Sequence, residues 1–173
     1  MLLYHFTFVH HLIPILGWPC KDDEAPPVPE GIRPMADDAD HMANGQPVVW
    51  LTSRSGLMPT PADIDWVNSP SCPWSRTSIE GFLREGTIAD RTAMLTVNLS
   101  PNSKRLRHIT AFCRPEILQL CAPSARADWW AYFGTISADR IVDFSWTDTP
   151  GTEAEQRLKA AIDDARREGE RAA

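Results

Sequence analysis

The side chains best placed for chemistry stand at the amino terminus. His5 lies within Leu2-Leu3-Tyr4-His5-Phe6-Thr7, whose β-branched and aromatic character predicts a strand. Apolar residues at 9, 12, 13 and 16 follow at helical spacing, with Gly17 available to stop a short helix and Thr7 placed to cap it. His5 thus sits near the end of a strand that runs straight into a helix, where sheets of this kind often carry binding or proton-transfer groups; the plainer role is a structural histidine in a buried strand. His10 and His11 are adjacent, so a regular helix points them to different faces and they cannot hold one metal together. The cysteines at 20, 72, 113 and 121 form no C-x-x-C pair, which argues against a structural zinc site or a disulfide framework. A Gly-rich phosphate loop, a G-x-S-x-G elbow and an H-E-x-x-H helix are all missing from the chain, so three common nucleotide and hydrolase templates are excluded.

Further elements must position these residues. Trp18 to Pro47 is rich in Pro and Asp, which forbids regular structure over most of its length and predicts a partly ordered loop at 18–47. Val48-Val49-Trp50-Leu51-Thr52 predicts a second strand, buried on both faces. Pro59 to Ser78 reads as irregular, with Trp66 and Trp74 pinning it to the body. Arg91 to Leu99 is the clearest strand and stops at the turn Ser100-Pro101-Asn102. Pro115 to Cys121 predicts a short helix with Pro at its first position, and Asp128–Phe133 and Arg140–Trp146 predict two more strands. At the carboxyl end, Thr152 and Glu155 form a capping box, and Ala154, Leu158, Ala161, Ile162 and Ala165 share a helical face. These elements predict an α+β domain over 1–148 followed by an amphipathic helix over 149–173.

Composition narrows the class. A chain of 173 residues with 43% hydrophobic content is long enough to bury a core in one domain. The net charge of −6 argues against a general phosphate-binding surface, and the one dense basic run, Lys104 to His108, reads as a solvated turn. No apolar run reaches the roughly 18 residues needed to cross a bilayer. The apolar start has no positive leading region and is interrupted by His5, His10 and His11, unlike a signal peptide, so a cytoplasmic protein with reduced thiols is expected. Fifteen prolines predict long irregular connections, and seven tryptophans predict large core anchors or a surface that stacks on a flat ligand.

Taken in order, the Tyr4-His5-Phe6-Thr7 strand, the Leu12-Ile13-x-Ile15-Leu16-Gly17 helix, the Trp50-Leu51-Thr52-Ser53 strand, the Arg91-led strand and the ending Phe133-Gly134-Thr135-Ile136 resemble the ADP-ribosyltransferase-like superfamily, in particular its small bacterial and phage-type members and the DNA-targeting toxin branch. The order covers most of residues 2–146, and only 2–17 and 129–144 match at motif level. The resemblance implies a split pair of antiparallel sheets holding NAD in the cleft between them. It implies that His5 bonds the nicotinamide-side ribose, with Tyr4 and Thr7 shaping the pocket. Trp50 would stack on the nicotinamide ring, Thr52 or Ser53 would bond a ribose hydroxyl, and Arg91 would meet a phosphate through its planar fork.

The family's catalytic Glu has no counterpart here: Trp129 stands at its position, and the nearest acid is Asp128. One residue of offset puts Asp128 on the other face of a regular strand unless a bulge restores it. The activity implied is ADP-ribosyl transfer from NAD to a protein or nucleic-acid acceptor, in a setting of phage–host or toxin conflict, with a carboxylate stabilising the charge that develops on the ribose. RNA 2′-phosphotransfer on the same fold would need more basic residues near these strands. The alternative from another class is a catalytically inactive relative that engages a partner protein through its Trp-rich and acidic loops.

Overall fold

The computed structural model describes residues 1–8, 11–17, 28–34, 43, 45–56, 59–70, 72–73, 93–146 and 160. Arg91, most of the loop at 18–47, Trp74 and, apart from a helical Ala160, the helix expected over 149–173 lie outside the described residues.

Six strands form one antiparallel sheet: β1 (Leu2–Thr7), β2 (Val49–Thr52), β3 (Ala93–Asn98), β4 (Leu106–His108), β5 (Trp129–Tyr132) and β6 (Ile141–Trp146), in the order β4-β5-β2-β1-β3-β6. Short helices accompany it: α1 (Leu12–Leu16), α2 (Pro61–Val67), α3 (Pro115–Leu118) and α4 (Pro123–Asp128). The α+β class expected from the sequence is therefore present. Among the described residues the strands are not divided into the expected pair of sheets, because hydrogen-bonded pairing links all six.

Side chains alternate across a pleated strand, so the register sorts residues onto two faces. One face gathers Leu3, Leu51, Leu95 and Val97, and α1 covers it with Leu12 and Ile15. Ile32 and Ile136, each almost fully buried, complete this core. Apolar burial of this kind, worth ~25 cal/mol per Å², holds the short helix on the sheet. The other face carries Trp50 and Ala131, packed with Val48, Phe112 and Phe133.

Three segments differ from their sequence reading. Residues 61–67, expected to be irregular, form α2. Thr60 caps it by accepting from Asp63 N–H, and the Asp63 carboxylate returns to Thr60 N–H, a capping box with Pro61 in the first turn. Residues 106–108, expected to be a solvated turn, form edge strand β4, because Leu106 and His108 pair with Tyr132 and Trp130. Asp128, expected to open a strand, is the last residue of α4, and β5 starts at Trp129.

A strap at residues 30–32 crosses the end of α1. Glu30 N–H donates to Pro14 C=O (2.8 Å) and Gly31 N–H to Ile15 C=O (3.2 Å), which satisfies carbonyls that a helix end leaves without internal partners. Ile32 and Ile136 then exchange both backbone bonds (2.8 and 2.9 Å) in an isolated antiparallel bridge. Among the described residues, no helix is long and apolar enough to cross a membrane.

Candidate functional site

The sheet opens between β1 and β2. β1 lies in register with β3 along its whole length, from Leu2 opposite Asn98 to Thr7 opposite Ala93. With β2 it is in register only at Tyr4 opposite Thr52. In an antiparallel ladder, residues two apart present their backbone groups to the same neighbour, so Trp50 is the next residue of β2 to face β1. Its carbonyl accepts a bond from a side chain, His5 Nδ1, at 2.9 Å. A carbonyl can only accept, so Nδ1 carries the proton, and Nε2 is the acceptor nitrogen of the neutral ring. His5 therefore stands where the two strands part.

The opening is a cavity of about 310 Å³, at the small end of the ~300–1,000 Å³ typical of small-molecule sites. Phe6, Ile15, Ile32 and Val49 supply apolar wall, and His5, Thr7, His11, Glu30 and Arg33 supply polar groups. Thr7 is buried, and its hydroxyl lies 2.8 Å from His11 Nδ1. Thr7 thus holds a side chain of the following turn, where the sequence suggested a backbone cap. The His11 ring also stands edge-on to Phe8, with centroids 5.6 Å apart. At the mouth, Arg33 Nε lies 3.3 Å from Glu30 Oε2.

Of the residues singled out in the sequence, His5, Thr7 and Trp50 line this cavity. Tyr4 and Thr52 pair with each other, and the period places their side chains on the face opposite His5. Thr52 is buried, and its hydroxyl accepts from Arg54 N–H at 3.1 Å. Trp50 is on the same far face, its ring 6.0 Å from Phe112 and 5.8 Å from Trp129. A stacking platform facing His5, as the resemblance implied for Trp50, is not its arrangement here.

Ser53 and Asp128 meet away from the cavity. Ser53 Oγ donates to Asp128 Oδ1 (2.9 Å), Ser53 N–H donates to Asp128 C=O (3.0 Å), and Arg54 Nε lies 3.9 Å from Asp128 Oδ2. The Asp128 carboxylate ties the end of α4 to the turn after β2, and Asp128 is not among the residues lining the cleft. Among the described residues, the carboxylate that does line it is Glu30, which sequence reasoning passed over inside the Pro/Asp-rich loop. The signal available was Glu30-Gly31-Ile32-Arg33 itself, a glycine and an isoleucine set between Pro29 and Pro34.

The far face has its own chemistry. Trp50, Trp129, Phe112 and Phe133 form a half-buried aromatic series, with Phe112 edge-on to Phe133 at 5.5 Å. The Arg107 guanidinium lies over the Phe133 ring, 5.2 Å from its centroid. Residues 100–115 include Lys104, Arg105, Arg107 and Arg114 and no Asp or Glu, although the chain as a whole carries −6.

Among the described residues no group of three metal-ligating side chains is assembled. No protein-family model, no curated protein and no solved structure matches the chain.

Proposed function

We propose that this chain is an ADP-ribosyltransferase-like protein that binds NAD in the cleft between β1 and β2 and transfers ADP-ribose to a macromolecular acceptor. The observation that carries this reading is the parting of β1 from β2 at His5, whose ring is fixed on the Trp50 carbonyl at the wall of the cavity. A cleft opening at that histidine is what the Tyr4-His5-Phe6-Thr7 resemblance implies.

The residues present suit such a ligand in part. The His5 ring, held on the Trp50 carbonyl, puts a polar group in the cavity wall that suits a hydroxyl-bearing ligand such as a ribose. Apolar wall from Ile15, Ile32 and Val49 suits a flat ring, and Arg33 at the mouth suits a phosphate. The volume accommodates one end of a dinucleotide rather than its whole length. NAD would supply the ADP-ribosyl unit, with nicotinamide as leaving group. The chain's part is to orient the ribose on His5, exclude water with the wall contributed by α1, and present the acceptor.

The face bearing Trp50, Trp129, Phe112 and Phe133 favours a single-stranded nucleic acid as that acceptor. Bases stack on the faces that such half-buried rings leave accessible, and the acid-free stretch at 100–115 supplies cations for phosphates.

A thermal-shift titration with NAD tests the binding step, since a ligand at ~100 times its Kd stabilises by about 2.7 kcal/mol. The shift is expected in the native chain and lost in His5→Ala; an unmoved melting curve at millimolar NAD refutes the reading. A second reading, an inactive relative that binds without turnover, is favoured by one observation: the Asp128 carboxylate is held by Ser53 and Arg54 outside the cleft. Nicotinamide release assayed alongside the titration separates the two, because the inactive form shows the shift without release.

A further inference from the structure

Among the described residues lining the cavity, the strap that crosses the end of α1 carries the one carboxylate and the one guanidinium, Glu30 and Arg33. Its backbone is anchored on both sides of Gly31, on the α1 carbonyls of Pro14 and Ile15 and on both backbone groups of Ile136. Gly31 itself has φ +70°, and a Cβ there would collide with the Ile136 carbonyl oxygen, so the strap lies directly against the backbone of its neighbour. Arg33 therefore starts from a fixed Cα at the mouth of the cleft. Its side chain is 67% exposed and meets Glu30, itself 43% exposed, through Nε. An exposed pair of this kind contributes little to stability. A phosphate, offering oxygens that match two guanidinium N–H groups at once, competes with it easily.

We propose that Arg33 is the phosphate-recognition residue of the cleft and that Glu30 restrains it until a phosphate-bearing ligand arrives. The identity of that ligand as NAD rests on the reading above; the recognition of phosphate by Arg33 does not. Glu30 has two effects in this arrangement. It neutralises the guanidinium in the empty cleft, and it repels an anion that approaches the mouth without engaging Arg33.

The experiment is calorimetric titration of the full chain with NAD, with inorganic pyrophosphate and with nicotinamide, which lacks phosphate. Arg33→Ala is expected to weaken NAD and pyrophosphate about tenfold or more and to leave nicotinamide unchanged. Glu30→Gln is expected to tighten both phosphate ligands about two- to fivefold, because the competing carboxylate charge is gone. Arg33→Lys should retain part of the affinity as a point charge without the fork. Both positions are exposed, and matched melting curves for the variants confirm that the strap is intact.

NAD binding that is indifferent to Arg33→Ala overturns the inference and leaves the NAD reading standing. Pyrophosphate binding that depends on Arg33, with no NAD binding, supports the inference and overturns the NAD reading. Glu30→Gln weakening the phosphate ligands as much as Arg33→Ala overturns the restraining role, and failure of both ligands to bind overturns inference and reading together.

Discussion

Asp63 is a buried carboxylate that joins two helices, and its removal is a stringent test of how the β5 side of the sheet is held. No part of Asp63 is exposed. Oδ2 accepts from Thr60 N–H (2.7 Å) and the Thr60 hydroxyl (2.8 Å), and Oδ1 accepts from Ser124 N–H (2.8 Å). One side chain therefore closes the first turn of α2 and satisfies an N–H in the first turn of α4, the helix that leads into β5. Burial pushes the carboxyl pKa up, but the bonds from Ser124 and Thr60 outweigh it and hold the group below the ordinary carboxylate value. A folded-state pKa below the unfolded one contributes stability that is complete above the unfolded value, ~3.9, and is lost as pH falls through the folded value. Asp63→Asn keeps one oxygen, enough for either Thr60 or Ser124, and turns an NH2 toward the other donor. Losing a charge-assisted bond while leaving a buried donor unpaired costs about 2–4 kcal/mol, and Asp63→Ala, which strands all three donors, about 3–5 kcal/mol. At roughly 2–4 °C per kcal/mol for a chain of this size, even the milder variant lowers Tm measurably. Urea unfolding followed by tryptophan fluorescence, repeated from pH 3 to pH 7, should show Asp63→Asn destabilised at neutral pH and less sensitive to acid than the native chain. A cost within about 0.5 kcal/mol at pH 7, the range of ordinary surface changes, would refute the stapling role.

Other outcomes follow from the same geometry. Gly31→Ala combines a left-handed backbone, worth ~1–2 kcal/mol, with a clash on Ile136 C=O, so it should lower stability by more than 2 kcal/mol, roughly, in the same urea assay. Asp128→Asn keeps an oxygen for Ser53 and loses only a partly exposed contact with Arg54, so it should cost no more than ~1 kcal/mol and leave any NAD-induced shift unchanged. Loss of that shift would place Asp128 in the ligand site after all. Arg107→Ala should weaken binding of a single-stranded oligonucleotide and reduce the slope of log K against log salt by about 0.7, the value for one phosphate contact on a single strand. Burial pushes the Cys113 thiol up, partly offset by Arg114; burial and Cys113 push Cys121 up, partly offset by Arg126. Iodoacetamide at pH 7.5 should therefore alkylate both far more slowly in the folded chain than in urea, as mass spectrometry of the labelled peptides would show.

Strands whose residues all speak for one structure were legible. β1 ran where Leu2 to Thr7 predicted it, and β3 and β6 fell within a residue or two of the runs at 91–99 and 140–146. Elements that depend on a partner were not. β4 has three residues, two of them basic or histidine, and becomes a strand because β5 supplies hydrogen bonds; nothing local requires it. α2 was legible in principle, since Thr60-Pro61-Ala62-Asp63 is a capping box with Pro in the first turn, but the surrounding Pro, Ser and Trp residues obscured it. The same holds for α4, where Pro123 marks a helix start that a strand reading of Asp128 overrode.

That last displacement decides where carboxylate chemistry is available in the cleft. Were β5 to begin at Asp128, its carboxylate would share a face with Trp130 and, across the sheet, with Leu51. Instead the helix ends at Asp128, and the carboxylate turns to Ser53 and Arg54, whose donors satisfy it. Trp129, at the position where the resemblance expects an acid, lies against Trp50 on the face away from His5. Neither residue can reach the ring fixed on the Trp50 carbonyl without breaking pairing between β2 and β5, which holds from Val49 through Thr52. Glu30 reaches the same cavity without touching that ladder, from a strap whose position depends on Gly31 and on backbone bonds to α1 and Ile136. If the cleft stabilises positive charge on a bound sugar, the carboxylate able to do so from the described residues is Glu30. Engagement of Arg33 by a phosphate is then the event that frees it.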